Sequence, residues 1–537
     1  MRRLPKTLFA AAALFSLTAA SRAQTDVVIY GGSVAGVMAA VQAARMGRTV
    51  ALVAPEKHLG GITVNGLGGS DIDNHWFRNS DAVGGIAREF YLRVGKKYDK
   101  PGPVWRFESK VAEAVLEEML GAEGPRLSIY REQQLTSVVK ERGRALQAIR
   151  AASGREFSGR VFIDASIEGD LIAAAGVETI IGRESNSKYG ETKNGIRAEN
   201  TYRQFAVRVD PYKIPGNPKS GLIPTIQDEP YGTPGEGDHR LQGFCFRLCL
   251  TKNPDNRLPV AKPANFDRGQ YEIYLRYTRA GGDLFFPVAN LPNGKTDLGS
   301  WHDLSANLYG MNYAYPGGSA EVRRQVYQQH RDFTQGLLWF LANDPELPAK
   351  VREHWAGWGL CRDEFTDNGG WPRELYIRDA RRMVSDYVIT EQHNRRINPE
   401  PVSDPVAVAF WPSDTHHVRR IVKDGAAYNE GFVFGGDDWG PFGISMRALL
   451  PRRAEATNLI AAAALSSSHV AYGAVRLEWT FMALGQASAV MASEFLGAKQ
   501  PITAVQDVDY RKVRESLIAA KQVLALNSVP AKSDATK

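Results

Sequence analysis

Residues 25–55, TDVVIYGGSVAGVMAAVQAARMGRTVALVAP, decide the fold of this chain. A short apolar run at 27–30 is followed by glycines, an alanine-rich segment at 34–46 and a second apolar run at 49–53. Short, wholly apolar runs are typical of strands buried on both faces of a parallel sheet, and a helix between two of them completes a βαβ unit. The sequence therefore predicts an α/β fold that begins at residue 25.

The turn inside this unit has the composition of a nucleotide-binding loop. In GGSVAG, residues 31–36, backbone N–H groups and the helix dipole can face a pyrophosphate. Gly31 allows a tight turn and Gly36 allows close helix–strand packing, whereas Ser33 stands where the usual pattern has its middle glycine. We predict a dinucleotide site that includes these three residues and Gly32.

The acid that usually binds the ribose hydroxyls is missing from the end of the second strand. Ala54 fills that position, and Glu56 is the nearest carboxylate. Either Glu56 reaches the ribose, or backbone atoms and water bind it instead.

The remaining chain divides into segments that differ in composition and in the spacing of apolar residues. Residues 108–120 have the pattern of an amphipathic helix, and 126–164 that of a β-meander ending in a buried strand. Residues 185–440 are rich in Pro, Gly, Trp and Tyr, with helical patterns at 319–344 and 373–393. The last part again has the pattern of the N-terminal part, with an apolar strand at 458–465 and a helix rich in small residues at 480–495. We predict one domain from residues 25–184 and 441–510, an inserted α+β substrate domain at 185–440 and a tail at 511–537.

Residues 1–23 have the pattern of a secretory signal peptide. A basic start precedes an apolar run at 8–20 and small residues that favour cleavage after Ala23. The run is too short to cross a bilayer comfortably, so we expect no membrane span in the mature chain. The pattern predicts a periplasmic or secreted protein, and the Arg2-Arg3 pair leaves both the Sec and twin-arginine routes open.

Composition argues against nucleic-acid and metal binding. The net charge is +7, but four of these charges lie before residue 24, and no basic tract follows. Cys245 and Cys249 lie four residues apart on an expected strand, about 13 Å, which is too far for a disulfide. No pair of cysteines has zinc-ligand spacing. We expect Cys245, Cys249 and Cys361 to be buried structural thiols and the protein to hold no metal.

Several motifs together resemble a known family. They are KHLGGITVNGLGGSD (57–71), GGIAREFY (84–91), FIDASIEGDLIAAAG (162–176), DNGGWPRELYIRDARRM (367–383) and LSSSHVAYGAVRLEWTFMALGQASA (465–489). The chain resembles the FAD-dependent oxidoreductases that share a fold with the fumarate reductase and succinate dehydrogenase flavoproteins, over nearly its whole mature length. The resemblance implies an FAD-binding Rossmann-like domain, split in sequence around the inserted substrate domain. NAD binding without a flavin is the alternative.

The same motifs suggest further cofactor contacts. Glycines let the backbone pass beside a flat ring system. Polar residues after the strand at 162–164 are expected beside the ADP end of the cofactor. A helix N-terminus can face the pyrimidine edge of a flavin. The predicted residues are Gly60, Gly61, Gly66, Gly68, Gly69, Ser166, Asp170 as a helix N-cap, Thr480 and Gly485. In fumarate reductase relatives a histidine within the segment matching 60–69 can hold the flavin covalently. This chain has none there, and His58 lies outside it, so we predict non-covalent FAD.

Candidate catalytic residues lie in the last two motifs. A flavin that oxidises an alcohol or amine needs a base near the substrate and a positively charged or hydrogen-bonding group near its ring. His469 and Arg476 lie between the last strand and the helix near Thr480, where both groups would be needed. His469 could instead brace its loop, and Arg476 could pair with Glu478 or Glu168.

A second group of candidates lies in the central part. Helical spacing would place Arg378 on one face with Arg381 and Arg382, beside Tyr376, as a carboxylate or hydroxyl clamp or as a domain brace. Of His416 and His417, at most one can reach a site from a strand. Three further residues would line an aromatic wall or pack in the core: Phe442, Tyr472 and Trp479.

These observations predict an exported FAD-dependent oxidoreductase. We expect it to dehydrogenate a hydroxylated or sugar-like small molecule by hydride transfer to FAD and to pass electrons to an unknown acceptor. The alternatives are a reductase of an activated C=C bond and a non-redox, carbohydrate-active protein with structural FAD.

Overall fold

The computed structural model describes residues 25–74, 77–199, 202–299, 302–435 and 438–526. The expected signal peptide lies outside these residues. The helices are α1 (Val34–Arg45), α2 (Gly85–Lys97), α3 (Ser109–Gly121), α4 (Asp170–Ala174), α5 (Asn186–Tyr189), α6 (Glu272–Arg279), α7 (Ala320–Asn343), α8 (Ala349–Ala356), α9 (His469–Val475), α10 (Glu478–Leu496) and α11 (Tyr510–Ala519).

The strands follow the same chain order. They are β1 (Thr25–Tyr30), β2 (Val50–Val53), β3 (Leu127–Tyr130), β4 (Leu135–Glu141), β5 (Ala145–Ala151), β6 (Glu156–Asp164), β7 (Thr179–Ile180), β8 (Leu250–Thr251), β9 (Arg257–Leu258), β10 (Gly359–Cys361), β11 (Arg382–Met383), β12 (Pro405–Ala409), β13 (Asp414–Thr415), β14 (Arg419–Lys423), β15 (Ala426–Glu430), β16 (Val433–Phe434), β17 (Phe442–Ser445) and β18 (Leu459–Ala461).

The largest sheet has the order β3-β2-β1-β6-β5-β4, with β18 also paired to β6. Strands β3, β2, β1, β6 and β18 run parallel, and β4, β5 and the first residues of β6 form an antiparallel meander. The long strand β6 belongs to both parts, because only its last residues pair with β1 and β18. The predicted βαβ unit and the α/β, Rossmann-like arrangement are confirmed.

Helix α1 packs between this sheet and α10 without large side chains. Its residues from Val34 to Ala44 are buried, and a Cβ atom placed on Gly485 of α10 would lie 2.2 Å from the carbonyl oxygen of Ala35. The two backbones therefore approach more closely than any residue with a side chain would allow. Gly485, which we expected beside the cofactor, is a helix-packing residue.

The buried side chains form two main hydrophobic clusters. One joins α1, α2, α3, α10 and one face of the parallel sheet, and the other lies among residues 209–375 around α6, α7 and α8. Two segments pack with the first cluster although the sequence placed them elsewhere. Strand β12 pairs with β17, and α11, in the expected tail, buries Val513 and Leu517 against the same cluster.

The predicted helices at 108–120, 319–344 and 480–495 are present as α3, α7 and α10, but the one at 373–393 is wrong. That segment is described throughout and contains β11 and a short 3₁₀ turn at Glu391–Asn394 instead. Arg382 is paired with Ile180 of β7, so the backbone is extended and the arginines of this motif share no helix face. No helix in the described residues is both long and apolar enough to cross a membrane.

The contact between α1 and α10 predicts that even one added methyl group is costly. Gly485→Ala should lower the free energy of unfolding by about 1–3 kcal/mol, because the backbone of α1 must shift to admit it. Gly121→Ala is the matched control: Gly121 is an exposed helical glycine with open space around its Cα, and its replacement should change stability by less than about 0.5 kcal/mol. Equal melting temperatures for both variants would contradict the packing.

Candidate active site

A groove lies where β1 and β6 end, which is where parallel sheets of this kind bind ligands. Its cavity volume is about 40 Å³. Its lining residues are Ser33, Glu56, Gly61, Ile62, Ser166, Ile167, Glu168, Glu374, Leu375, Tyr376, Ile377, Arg476, Glu478 and Phe481. Of the residues predicted from the sequence to bind a cofactor, Ser33, Glu56, Gly61 and Ser166 line this groove.

The turn after β1 rests directly on the end of β6. A Cβ atom on Gly31, whose φ is +109°, would lie 2.4 Å from the backbone nitrogen of Ser166, and one on Gly36 would lie 2.1 Å from the oxygen of Gly31. Ser33 caps α1 by accepting a hydrogen bond from the Gly36 N–H and donates one to the carbonyl of Ala165 at 2.6 Å. The N-terminus of α1 is thereby fixed at the groove.

Glu56 reaches this turn. Its Oε2 accepts a hydrogen bond from the N–H of Gly32 at 3.0 Å, so the carboxylate left open by the sequence lies beside the predicted phosphate-binding loop. Burial, and then repulsion from Glu168, raise the pKa of Glu56. The raised pKa favours the protonated form of this carboxyl. A protonated carboxyl can donate a hydrogen bond to a ligand hydroxyl and also accept one from it.

Two further carboxyl groups complete the groove, and neither was selected from the sequence. Burial, and then Glu56 and Glu168, raise the pKa of Glu374 well above its ordinary value. Glu478, at the start of α10, accepts a hydrogen bond from Thr63 at 2.7 Å, and burial raises its pKa to about 7. The signal that could have found them is their place in two of the resemblance motifs.

Most of the expected glycine contacts are with protein instead. Cβ atoms on Gly66 and Gly68 would lie 1.8 Å and 2.2 Å from the carbonyl oxygens of Arg247 and Phe107. Gly60 packs against Leu116, and the N–H of Gly69 donates to Asp297. Gly66 and Gly68 are needed because protein backbone passes close by, and of the glycines in this motif only Gly61 is among the described residues that line the groove.

The structure revises the role of Asp170, and Thr480 is not among the described residues that line the groove. Asp170 is the first residue of α4 rather than its N-cap, and its carboxylate accepts hydrogen bonds from Arg323 and Arg381. Thr480 lies in the first turn of α10, where its hydroxyl is buried and has no hydrogen-bond partner among the described residues. A buried polar group without a partner is costly, and a cofactor at this helix end would satisfy it.

A second cavity adjoins the groove, and we call it the inner chamber. Its cavity volume is about 90 Å³, and it shares Tyr376 and Arg476 with the groove. Its lining residues are Leu67, Asp71, Tyr202, Arg203, Arg247, Tyr376, Trp411, Asp414, His416, Phe432, Phe434, Arg476 and Leu477. An outer pocket shares Asp71 and Arg247 with the chamber, so the cavities form a series from the groove to the surface.

Arg476 lies where the groove meets the chamber, as its predicted role requires. The guanidinium is buried, donates to the hydroxyl of Tyr376 at 2.8 Å and to the backbone oxygen of Asp414 at 2.9 Å, and lies 3.5 Å from the Asp414 carboxylate. The ion pairs with Glu478 or Glu168 considered above are not formed. Arg476 therefore places a fixed positive charge on the wall common to both cavities.

His416 is the histidine of the chamber wall. Its ring centroid lies 5.3 Å from that of Phe432, and its Nε2 lies 3.8 Å from Oδ1 of Asp414. Its enclosed position, and then the positive charges of Arg378 and Arg476, hold the pKa of His416 well below its usual range. The imidazole is therefore neutral at neutral pH and can accept a proton.

His469 and Arg378 lie elsewhere. His469 begins α9, is buried with its Nδ1 3.2 Å from the carboxylate of Asp379, and is not among the described residues that line the groove or chamber. Arg378 is also buried, and it donates to Gly243, Asn307 and the sulfur of Cys245. Neither residue is among the described residues that line the groove or the chamber: Arg378 is held in the interior by these hydrogen bonds, and His469 lies at the start of α9 beside Asp379.

The other candidates are interior residues. His417 is buried and lies against Tyr309 and Phe432, so of the pair only His416 lines the described groove or chamber, although both residues lie between β13 and β14 rather than on a strand. The three aromatic residues proposed for a cavity wall belong to the first hydrophobic cluster: Phe442, Tyr472 and Trp479.

A cluster of carboxylates is occupied by a lysine. Glu108, Asp363 and Glu364 bring their oxygens close enough together to bind a metal ion. The ammonium of Lys295 lies between them, at 2.6 Å from Glu108 and 2.8 Å from each of the other two. The positive charge that the cluster requires is therefore supplied by the chain.

Comparison with known proteins identifies a family. The model of the family described as FAD dependent oxidoreductase matches residues 26–517, which is well over half of the chain. No curated protein matches the sequence.

Solved structures with local similarity include several enzymes. L-proline dehydrogenase from P. horikoshii is 13% identical over 30% of this chain and 58% of its own, with a TM-score of 0.23. T. acidophilum thioredoxin reductase is 20% identical over 26% and 34%, with a TM-score of 0.17, and the flavin-dependent brominase Bmp2 is 17% identical over 29% and 42%, with a TM-score of 0.23. The chain thus spans less than two thirds of each, and TM-scores this low carry no argument.

The turn after β1 yields a direct test of the groove. Gly36→Val should lose most bound flavin, because its side chain would enter the space that the Gly31 carbonyl fills. The flavin-to-protein absorbance ratio of the purified variant measures this. Gly121→Val, at an exposed helix position with open space, should keep the parental ratio. A folded Gly36→Val protein with normal flavin content would show that the groove is not the cofactor site.

Proposed function

The chain belongs to the FAD-dependent oxidoreductase family, and we propose that it dehydrogenates a hydroxylated or sugar-like small molecule bound in the inner chamber. The observation that carries this proposal is the shared wall of groove and chamber at Tyr376 and Arg476. A cofactor in the groove and a substrate in the chamber would meet there. The family match shows that the protein is an enzyme that binds FAD.

The residues of the groove fit this cofactor. The N-terminus of α1, held by Ser33, presents backbone N–H groups to a pyrophosphate. Glu56 is placed for ribose hydroxyls, and the unpartnered hydroxyl of Thr480 lies at the N-terminus of α10. Bound FAD supplies the acceptor for a hydride that leaves the substrate.

The chamber combines charged donors with aromatic faces. The guanidinium groups of Arg203, Arg247 and Arg476 can donate hydrogen bonds to several substrate oxygens. Trp411, Phe432 and Phe434 offer apolar surface on the same wall. A mainly apolar cavity with a few converging polar groups is typical of a small-molecule site, and this mixture suits a molecule with both hydroxyl groups and C–H faces.

His416 and Arg476 supply the proton chemistry. The neutral imidazole of His416 takes the proton of the substrate hydroxyl as its carbon loses a hydride. Asp414 lies near enough to stabilise the imidazolium that forms. Arg476 lowers the energy of the partly ionised hydroxyl oxygen, because its charge is already in place and needs no reorganisation.

A second function is favoured by one observation, the three guanidinium groups of the chamber. They would also bind an unsaturated acid, whose C=C bond would be reduced rather than formed. The direction of the colour change separates the two. A hydroxylated substrate should bleach the oxidised flavin anaerobically, whereas an activated C=C compound should restore the colour of flavin reduced beforehand.

Export from the cytoplasm is the second part of this proposal. It is supported by the basic start, apolar run and small residues of positions 1–23. Removal of these residues in an exporting host can be checked from the intact mass of the secreted chain.

We expect the flavin to be held without a covalent bond. His58 lies outside the 60–69 segment and is engaged by Glu113 and by Asp367, whose Oδ2 is 2.8 Å from its Nε2. Acid precipitation of the purified protein should leave the yellow colour in the supernatant. Colour that stays in the washed pellet would contradict this expectation.

Replacing the proposed base should slow the reaction without removing the cofactor. His416→Ala should keep its colour and reduce its flavin about 10²–10⁴-fold more slowly in single-turnover experiments. His469→Ala is the matched control, since it removes a buried imidazole that lines neither cavity. Its flavin-loaded fraction should react within about threefold of the parent, although its stability should fall. A large loss of rate in His469→Ala together with a small loss in His416→Ala would instead identify His469 as the base.

The same reaction should be insensitive to mild acid. A base must be deprotonated, and a lowered pKa keeps His416 deprotonated as the pH falls. The reduction rate should change less than about twofold from pH 7.5 to 6.0, where an ordinary histidine would retain about a quarter of its neutral form. Glu478→Gln identifies any effect of Glu478, whose pKa is about 7. Burial also raises the pKa of Glu56 to about 7 and that of Asp71 to about 6, so Glu56→Gln and Asp71→Asn are measured in the same way. A fall near pH 6.5 that persists in all three variants would argue against His416.

A further inference from the structure

Two cysteines that are distant in sequence face each other in the small sheet β8-β10-β9. Leu250 of β8 is paired with Leu360 of β10, and the same antiparallel register places Cys249 opposite Cys361. The N–H of Cys361 donates to the carbonyl of Cys249 at 3.3 Å, and the two sulfur atoms lie 3.4 Å apart. No local sequence pattern connects Cys249 with Cys361, because the two residues are 112 positions apart.

The geometry of this pair suits a disulfide bond. Directly opposite residues of antiparallel strands have Cα atoms about 4.5–5.5 Å apart, which lies within the range that a disulfide tolerates. Small rotations of the two side chains would bring the sulfur atoms to bonding distance. Phe365 packs against both cysteines and completes a small buried cluster. Cys245 is engaged differently, since its sulfur accepts a hydrogen bond from Arg378.

We propose that Cys249 and Cys361 form a disulfide when the chain folds in an oxidising compartment. The thiolate of one cysteine attacks a disulfide of a thiol–disulfide exchange protein and forms a mixed disulfide. The second thiolate then displaces that protein. Overall the S–H bonds of the two cysteines and the S–S bond of the exchange protein break and one new S–S bond forms, and the exchange protein takes up two electrons and the two protons and becomes a dithiol.

The bond forms during folding rather than afterwards. In the folded chain both thiols are buried, and the neighbouring Cys361 thiol together with burial raises the pKa of Cys249 well above its ordinary value. A buried, protonated thiol is a poor nucleophile. Once formed, the bond is shielded from reductants for the same reason.

The position of the pair indicates what the bond would secure. Cys361 begins a segment that passes Asp363 and Glu364, which bind Lys295, and then reaches Glu374 and Tyr376 on the groove wall. A bond at Cys361 ties the start of this segment to β8. It also closes a loop of more than a hundred residues, and long loops gain most from a cross-link in the chain-entropy description.

The first test counts thiols. The full chain is produced in cells with an oxidising cytoplasm, so that the result does not depend on the proposed export. It is then denatured and labelled with N-ethylmaleimide. We expect one label, on Cys245, before reduction and three after reduction with a phosphine. Cys245→Ser should show none and then two. Three labels before reduction, or a linked peptide containing Cys245, would overturn the proposal.

The second test asks whether the bond stabilises the protein. The melting temperature of the FAD-bound parent from oxidising cells should exceed that of the parent from reducing cells by about 2–5 °C. The double variant Cys249→Ser/Cys361→Ser should melt at one temperature from both sources, and Cys245→Ser should retain the difference. Equal melting temperatures for the two parent samples would overturn the role of the bond as a clamp.

Discussion

The close approach of backbones at the end of β1 is the constraint on which the rest of the structure depends. The turn at Gly31 touches the end of β6, Gly36 touches the turn, and Gly485 lets α10 lie against α1. Because a Cβ atom at any of these positions would clash, the backbones of the sheet, its first helix and the last long helix come close together at these points. The groove is the space that this packing leaves at the carboxyl ends of the strands.

The charges of the two cavities differ in a way that fits their proposed contents. Carboxyl groups dominate the groove, and their mutual repulsion and burial keep Glu56 and Glu374 easier to protonate than ordinary glutamates. Such groups suit the hydroxyls of a ribose or ribityl chain. Three guanidinium groups line the chamber, and burial, followed by the charges of Arg378 and Arg476, lowers the pKa of His416. Arg476 lies on the common wall, so its charge acts on both sides.

Ion pairs and hydrogen bonds of buried arginines in the central part stabilise the segment that contributes Tyr376 to the wall shared by the groove and the chamber. Arg378 is held by the carbonyl of Gly243 and by Asn307, and Arg382 pairs with Glu184. Buried guanidinium groups need such partners, because an unpaired buried charge is strongly destabilising. The arginines expected to bind substrate therefore act as braces. Arg203 and Arg247, in irregular segments without a recognisable motif, are the ones that line the chamber together with Arg476.

The sequence by itself determined the βαβ unit, the nucleotide turn and the helices α3, α7 and α10, because apolar periodicity and glycine placement are local signals. It also indicated Ser33, Glu56, Gly61 and Ser166 as groove residues. Only the tertiary structure decided that His416 rather than His469 faces the chamber, that Gly66 and Gly68 pack against protein, and that Cys249 meets Cys361. Each of these outcomes depends on contacts between segments far apart in the chain, and no local pattern encodes which distant backbone will pass beside a given residue.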